Sequence, residues 1–434
     1  MQWRNYSSRP AMLAILVLAL LFGLSRNVLS LPERIDLSGG GVIDDIQTLE
    51  VGSDDIVWAA SMGTGLFRVK WESSSWDHTW SENLAGKGVF GLDAIYQSST
   101  EYVLAGTACN GIYFSSSSSG SFANWIRPNN EQQQYPSTWN NIRAHDLAFY
   151  CNTNGSYETN PEDKYFVIYR NNDLPGGPGG YLGIYKWNDG TPAFDRITSA
   201  LDRQFDHFYR DKKDPNVLYV KGEDAVSGGD VKYLYRLKGD YASLEFVDKD
   251  FARHADPNDQ DYTLDVYAFN QWKYDENNTY SYALIKWHDV SANHDYISVF
   301  AWLNLHSATT GACNLVYTPP SAFASNLSSR DEIYEPGMEA EVVGKAVAEI
   351  SQTYHHLWLS AGKYGVWFFN DQTNQVYMLN GTSTINQEPE LKNWSPRSMV
   401  PDIQDHISTG TGMRLFYGSH FMGVWWLDFT EAEL

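Results

Sequence analysis

The chain has 434 residues, 43% hydrophobic and 15% aromatic, with a formal net charge of −22. That apolar content permits a large core and excludes the low-hydrophobicity composition of disordered chains. The acidity disfavours nucleic acid and anionic membrane as partners, because a field of that sign repels phosphates.

Residues 1–30 read as a signal peptide. Arg4 and Arg9 precede or open an apolar stretch over 11–24, shorter than the ~20 residues a spanning helix needs. Val28 and Ser30 sit at −3 and −1 of a cut after Ser30. Removing Arg4, Arg9 and Arg26 with this segment takes 31 basic residues to 28 against 53 acidic, a net of −25. Residues 31–434 then form one secreted domain. Five Asn-x-Ser/Thr sequons, at Asn154, Asn277, Asn326, Asn380 and Asn393, fit a glycoprotein of the secretory pathway. Three cysteines, Cys109, Cys151 and Cys313, allow at most one disulfide and leave one thiol over.

A repeat runs through the mature chain. Residues 60–65 (ASMGTG) lead into Leu66-Phe67, and 106–111 (GTACNG) into Ile112-Tyr113. Near the other end, 360–365 (SAGKYG) lead into Val366-Trp367, and 418–423 (GSHFMG) into Val424-Trp425. An apolar run precedes each copy. Each therefore predicts strand, tight turn, glycine, strand, with the glycine free to take positive φ. Three weaker copies lie between, ending at 183–187 (GIYKW), 233–237 (YLYRL) and 298–302 (SVFAW). Upstream of each hairpin an inner strand is predicted: 44–49, 90–95, 142–149, 205–209, 264–269, 342–350 and 397–403. Seven such units at a spacing of ~60 residues predict an all-β fold. The expected architecture is a β-propeller of six or seven blades, seven favoured, each of four strands. The chain ends soon after the last hairpin. Residues 33–37 (ERIDL) are expected to supply the missing outer strand and close the ring, which removes exposed sheet edges.

In a propeller the hairpin turns and the inner strands surround a central channel. Arg143-x-His145 and His207-x-Tyr209 are the candidate catalytic residues, because alternate strand residues share a face and bring a cation, imidazoles and a phenol together. Trp272, Tyr364, Trp394 and Phe421 are candidate walls of a substrate pocket. The same residues also suit ordinary strand-edge and turn positions. No metal motif occurs: there is no HExxH and no clustered Cys/His, and residues 256–261 (DPNDQD) lack the glycine and closing glutamate of a calcium loop. Neither a GxSxG elbow nor a phosphate-binding glycine loop is present, and no cofactor is expected.

The first two hairpins resemble those of secreted sugar-active propellers such as sialidases. Residues 116–122 (SSSSGSF) stand where those families place an Asp-box turn, here without the Asp. In overall layout (length, leader, sequons, degenerate repeats, abundant Trp and Tyr) the chain resembles the fungal secreted β-propeller hetero-Diels–Alderases of tropolone–sesquiterpenoid biosynthesis. That resemblance implies an enzyme joining a tropolone quinone methide to a humulene-type terpene, with apolar small molecules as partners. Such a cycloaddition needs two partners held in a near-attack pose in a dry pocket, and a donor on the developing oxyanion. A glycan lyase or hydrolase, and a non-catalytic glycan-binding propeller, are the alternatives.

Overall fold

The computed structural model describes residues 33–34, 46–51, 56–72, 75–80, 84–108, 110–119, 121–122, 124–126, 142–171, 183–188, 193–197, 205–211, 213–223, 232–237, 244–247, 264–273, 279–289, 294–303, 314–317, 347–349, 356–360, 366–370, 375–378, 396–402, 413–419 and 423–429. Outside them lie the leader 1–30, Tyr364, Trp394 and Phe421, the sequons Asn277, Asn326, Asn380 and Asn393, and Cys109 and Cys313.

Apart from turns and one short 3-10 helix (Pro161–Asp163), the described elements are strands. Strand β1 (Glu33–Arg34) stands alone at the start of the chain. Sheet 1 is β2 (Ile46–Val51), β3 (Ile56–Ser61), β4 (Gly65–Glu72) and β5 (Ser75–Trp80). Sheet 2 is β6 (Val89–Gln97), β7 (Thr100–Thr107) and β8 (Ile112–Ser117). Sheet 3 is β9 (Ile142–Phe149), β10 (Lys164–Asn171), β11 (Gly183–Asn188) and β12 (Ala193–Arg196). Sheet 4 is β13 (Phe205–Arg210), β14 (Leu218–Glu223), β15 (Lys232–Leu237) and β16 (Leu244–Phe246). Sheet 5 is β17 (Leu264–Lys273), β18 (Thr279–Asp289), β19 (His294–Leu303) and β20 (Asn314–Tyr317). Sheet 6 is β21 (Val347–Glu349), β22 (His356–Ser360), β23 (Val366–Asn370) and β24 (Gln375–Met378). Sheet 7 is β25 (Pro396–Asp402), β26 (Met413–Ser419) and β27 (Gly423–Phe429), extended by β1.

Each sheet is an antiparallel meander in chain order, except that β1 joins sheet 7 beside β27. The first strands lie beside one another: β2 beside β6 and β25, β6 beside β9, β9 beside β13, β17 beside β21, and β21 beside β25. This is a propeller-like arrangement of small sheets. In sheet 7, Glu33 and Arg34 of β1 pair with Trp426 and Trp425 of β27. Among the described residues sheet 2 has three strands, and a single bridge, Phe114 with Ile126, lies beyond β8. There the Asp-box-like segment serves packing: Phe122 and Trp125 meet Trp58 edge-on at 4.7 and 6.1 Å.

Successive sheets pack face to face, so both faces are buried and strands read as continuous apolar runs rather than alternating ones. On β9 and β10, Leu147, Phe149, Tyr165, Val167 and Tyr169 face sheet 2, whereas Ala148, Phe166 and Ile168 face sheet 4. Carboxylates clasp neighbouring sheets. The Trp58 indole N–H donates to Glu101 Oε1 at 2.7 Å, and the Phe149 backbone N–H donates to Asp93 Oδ2 at 2.7 Å.

Six first strands carry a register shift against the second strand of their sheet. The extra residues are Gln47 in β2, Phe90 in β6, His145 in β9, Asp206 with His207 in β13, Tyr267 in β17 and Arg397 in β25. A β-bulge of this kind bends the strand and re-aims side chains. Close approach at this level requires glycine: a Cβ on Gly91 would stand 2.6 Å from the Asp146 Cα, and one on Gly106 2.5 Å from the Ala144 carbonyl oxygen. Gly65 and Gly111, which close the first two hairpin turns, have φ of 109° and 78° as the repeat predicts.

Candidate functional site

The bulges on three consecutive sheets bring Phe90, His145 and His207 together. The Phe90 and His145 ring centroids are 6.3 Å apart, and those of His145 and His207 are 5.4 Å apart at 33°. The Arg143 guanidinium lies 4.2 Å over the Phe90 ring, within cation–π range. Of the four, Arg143 is the most exposed at 8%, against 1% for His145 and 3% for His207. Three of the expected catalytic residues thus converge, and Phe90 joins them.

Asp146, missed in the sequence, anchors the cluster. Its Oδ2 accepts the Phe208 backbone N–H at 2.8 Å and stands 3.4 Å from His207 Nδ1. A carboxylate this close to an imidazole favours its protonated form by charge attraction. One residue before His207, Asp206 pairs with Lys221 Nζ at 3.2 Å, both buried. A buried charge is tolerated when it is paired in this way.

Tyr209, the fourth candidate, packs its ring edge-on against Phe269 of sheet 5 at 5.4 Å. Its buried hydroxyl has no hydrogen-bond partner among the described residues. Burial raises its pKa well above that of an ordinary phenol, and the Asp206 and Asp146 carboxylates raise it further. Near neutral pH it is therefore a proton donor and not a base. Trp272 lies on β17, opposite Tyr280 and five residues beyond the Tyr267 bulge. At ~3.3 Å per residue that is about 16 Å along the strand, so Trp272 stands at the far end from the cluster.

The far end of β9 and β13 holds a second polar group, built on Arg210. Its Nη2 donates to the Phe149 carbonyl at 2.6 Å and lies 3.4 Å from Asp93 Oδ2, while Nη1 donates to the Pro215 carbonyl at 2.8 Å. Tyr157 sits under the guanidinium at 5.3 Å. Burial pushes the Tyr157 pKa up to about 12; Arg210 opposes this and Asp93 and Cys151 add to it. Cys151 is a buried thiol whose pKa is raised by desolvation, partly offset by Arg210. These contacts join sheets 2, 3 and 4 and serve structure. Among the described residues, no group of three or more His, Cys, Asp or Glu side chains is placed to hold a metal ion. Nor is any described helix long and apolar enough to cross a membrane. Asn154 of the first sequon is exposed, on a turn in which Asn152 Oδ1 accepts the Asn154 and Ser156 backbone N–H groups.

No protein-family model matches the chain, and no curated protein does. Among solved structures it is similar to the β-propeller domain of Cps50 (Swd1) from Myceliophteria thermophila, at 7% identity and TM-score 0.48, over 92% of this chain and 100% of that one. A structure described as YCF48 bound to D1 peptide aligns at 9% identity and TM-score 0.47, over 92% and 97%. The extracellular domain of a putative one-component system, BT4673 from B. thetaiotaomicron, aligns at 12% and 0.47, over 92% of this chain; the chain spans 40% of that protein.

Proposed function

We propose that this chain is a secreted, glycosylated seven-bladed β-propeller with one small-molecule site at the bulged end of its inner strands. The seven sheets are the blades, and β1 completes the last blade to close the ring. What supports this is the run of neighbouring first strands, which returns from β25 to β2, together with the β1–β27 pairing. Exposure of Asn154 on a turn suits modification of its sequon. The site is asymmetric, since its polar residues differ from blade to blade.

The reaction proposed is a hetero-Diels–Alder cycloaddition of a quinone methide to an alkene. The observation that carries it is the contact of Arg143, Phe90, His145 and His207 across three sheets. Arg143 supplies a fixed cationic donor for an oxygen that gains negative charge in the transition state. Phe90 supplies an apolar surface, and the Asp146–His207 pair moves the proton when water is lost to form the diene. The cycloaddition itself transfers no group, so holding both partners in one pose is the main contribution.

The test is incubation of the full chain with a hydroxymethyl tropolone and humulenol. A dihydropyran adduct of one dominant stereochemistry is expected, with at least a tenfold loss of rate in Arg143→Ala and His207→Ala. The uncatalysed mixture of products would overturn the assignment, as would unchanged rates in both variants.

A further inference from the structure

Three Asn-Gly pairs occur in the chain, at 110–111, 154–155 and 380–381. The last lies outside the described residues. Asn is a thermolabile residue, and a glycine after it takes away the side chain that would shield the next backbone nitrogen. The two described pairs sit in different surroundings.

Asn110 and Gly111 belong to the hairpin turn between β7 and β8, and both are half-buried. Thr107 ties that turn: its Oγ1 accepts the Asn110 N–H at 3.0 Å and donates to the Gly111 carbonyl at 2.7 Å, and its own N–H donates to the same carbonyl at 3.1 Å. Strand pairing continues up to Gly106 and Ile112 on either side. Asn154 and Gly155 lie in the segment between β9 and β10, where residues 153–156 are all exposed. The hydrogen bonds of this turn return to one residue. Asn152 Oδ1 accepts the Asn154 and Ser156 N–H groups at 2.9 and 3.1 Å, its carbonyl accepts the Gly155 N–H at 2.9 Å, and its N–H donates to the Ser156 carbonyl at 2.9 Å. Gly155 takes φ of 75°, and a Cβ there would meet only the Pro215 side chain, at 4.0 Å. A turn held by exposed hydrogen bonds opens at little cost, which frees the Gly155 nitrogen.

We infer that Asn154 is a site of spontaneous deamidation. The Gly155 backbone nitrogen gives up its proton and attacks the Asn154 side-chain carbonyl carbon. A new C–N bond forms, the C–N bond of the carboxamide breaks, and ammonia leaves with the proton. Water opens the resulting succinimide at either carbonyl, giving aspartate or its β-linked isomer. An amide and water are consumed, a carboxylate and ammonium are formed, and nothing is oxidised or reduced. The nitrogen that leaves is the one an N-glycan would occupy, so the two modifications of Asn154 exclude each other and the reaction needs the bare side chain. Either product adds negative charge to a chain already at −22, and the β-linked isomer lengthens the backbone inside the loop closed by the Cys151–Tyr157 bridge.

The test is storage of the full chain, made in a host that adds no N-glycans, in mildly alkaline buffer, with peptide mass mapping over time. Conversion at Asn154 is expected to be at least three times faster than at Asn110 of the same molecules. Gly155→Asn supplies a residue that tolerates positive φ but places a Cβ beside the attacking nitrogen. It should slow conversion at Asn154 at least threefold and leave Asn110 unchanged, with a melting temperature close to the parent. Asn154 intact, or converting no faster than Asn110, would overturn the assignment. An unchanged rate at Asn154 in Gly155→Asn would overturn the attack by the Gly155 nitrogen.

Discussion

Arg210 shows how single side chains hold the sheets together. It reaches from β13 to the Phe149 carbonyl on sheet 3 and to Asp93 on sheet 2. Replacing it by Met would leave those acceptors without their donor, a cost of about 1–3 kcal/mol; a fall in the urea midpoint at unchanged m-value would register it. The raised phenol of Tyr157 gives a pH signature. Its neutral form is favoured in the fold, so its contribution is fully present below pH 10, the ordinary phenol value, and is lost as pH rises towards about 12. Melting curves from pH 9 to 11.5 should fall less steeply in Tyr157→Phe than in the parent. Cys151, buried and with its pKa raised, should resist iodoacetamide at pH 8 in the native chain and react once it is denatured; mass spectrometry reads both states. At this scale the sequence was half legible. Arg143, His145 and His207 stood out because alternate residues on a strand share a face. Asp146 was missed, although an Asp recurs in the sequence of β6 (Asp93), β13 (Asp206) and β17 (Asp265). The clue to inter-sheet clasps was an Asp within an inner strand, as Asp93 and Asp146 show, visible only when the strands are compared.

At the scale of elements, the inner strands and hairpins were the most legible part. The range 142–149 is the observed β9, and 205–209 falls one residue short of β13. Burial on both faces explains this, because it writes each strand as a continuous apolar run bounded by small residues. The bulges left no such mark. A bulge is a shift of one residue between two strands, and composition does not record register. Gly91 and Gly106 are its only trace in the sequence, and their meaning depends on a neighbouring sheet. Gly91→Ala and Gly106→Ala should each cost about 1–3 kcal/mol through overpacking against β9. Calorimetry would show this as a lower melting temperature, whereas Gly86→Ala, with nothing near its Cβ but a φ of 71°, should cost only its own backbone strain.

At the scale of the molecule, the repeat implied many similar sheets, and seven meanders are what the strand pairing shows. The candidate site was far less legible, since side chains from separate sheets meet only in three dimensions. Trp272 illustrates the difficulty: an aromatic on an inner strand suits a pocket wall, yet position along the strand decides which end it serves. The β1–β27 pairing makes a further prediction. A chain starting at residue 38 would leave β27 as a bare edge and should unfold at lower temperature and aggregate more readily than one starting at residue 31; light scattering on heating distinguishes them.

That pairing also sets an order of events during synthesis. Glu33 and its partner Trp426 are 393 residues apart. At a ribosomal rate of ~5–20 residues per second, the first strand waits roughly 20–80 s for its partner to be made. Until then sheet 1 can form but β1 cannot dock, so its last step is post-translational by necessity. A closure between such distant segments carries a large loop-entropy barrier. Until β1 docks, the outer edge of β27 has no strand beside it, and an open edge of this kind invites pairing with other chains.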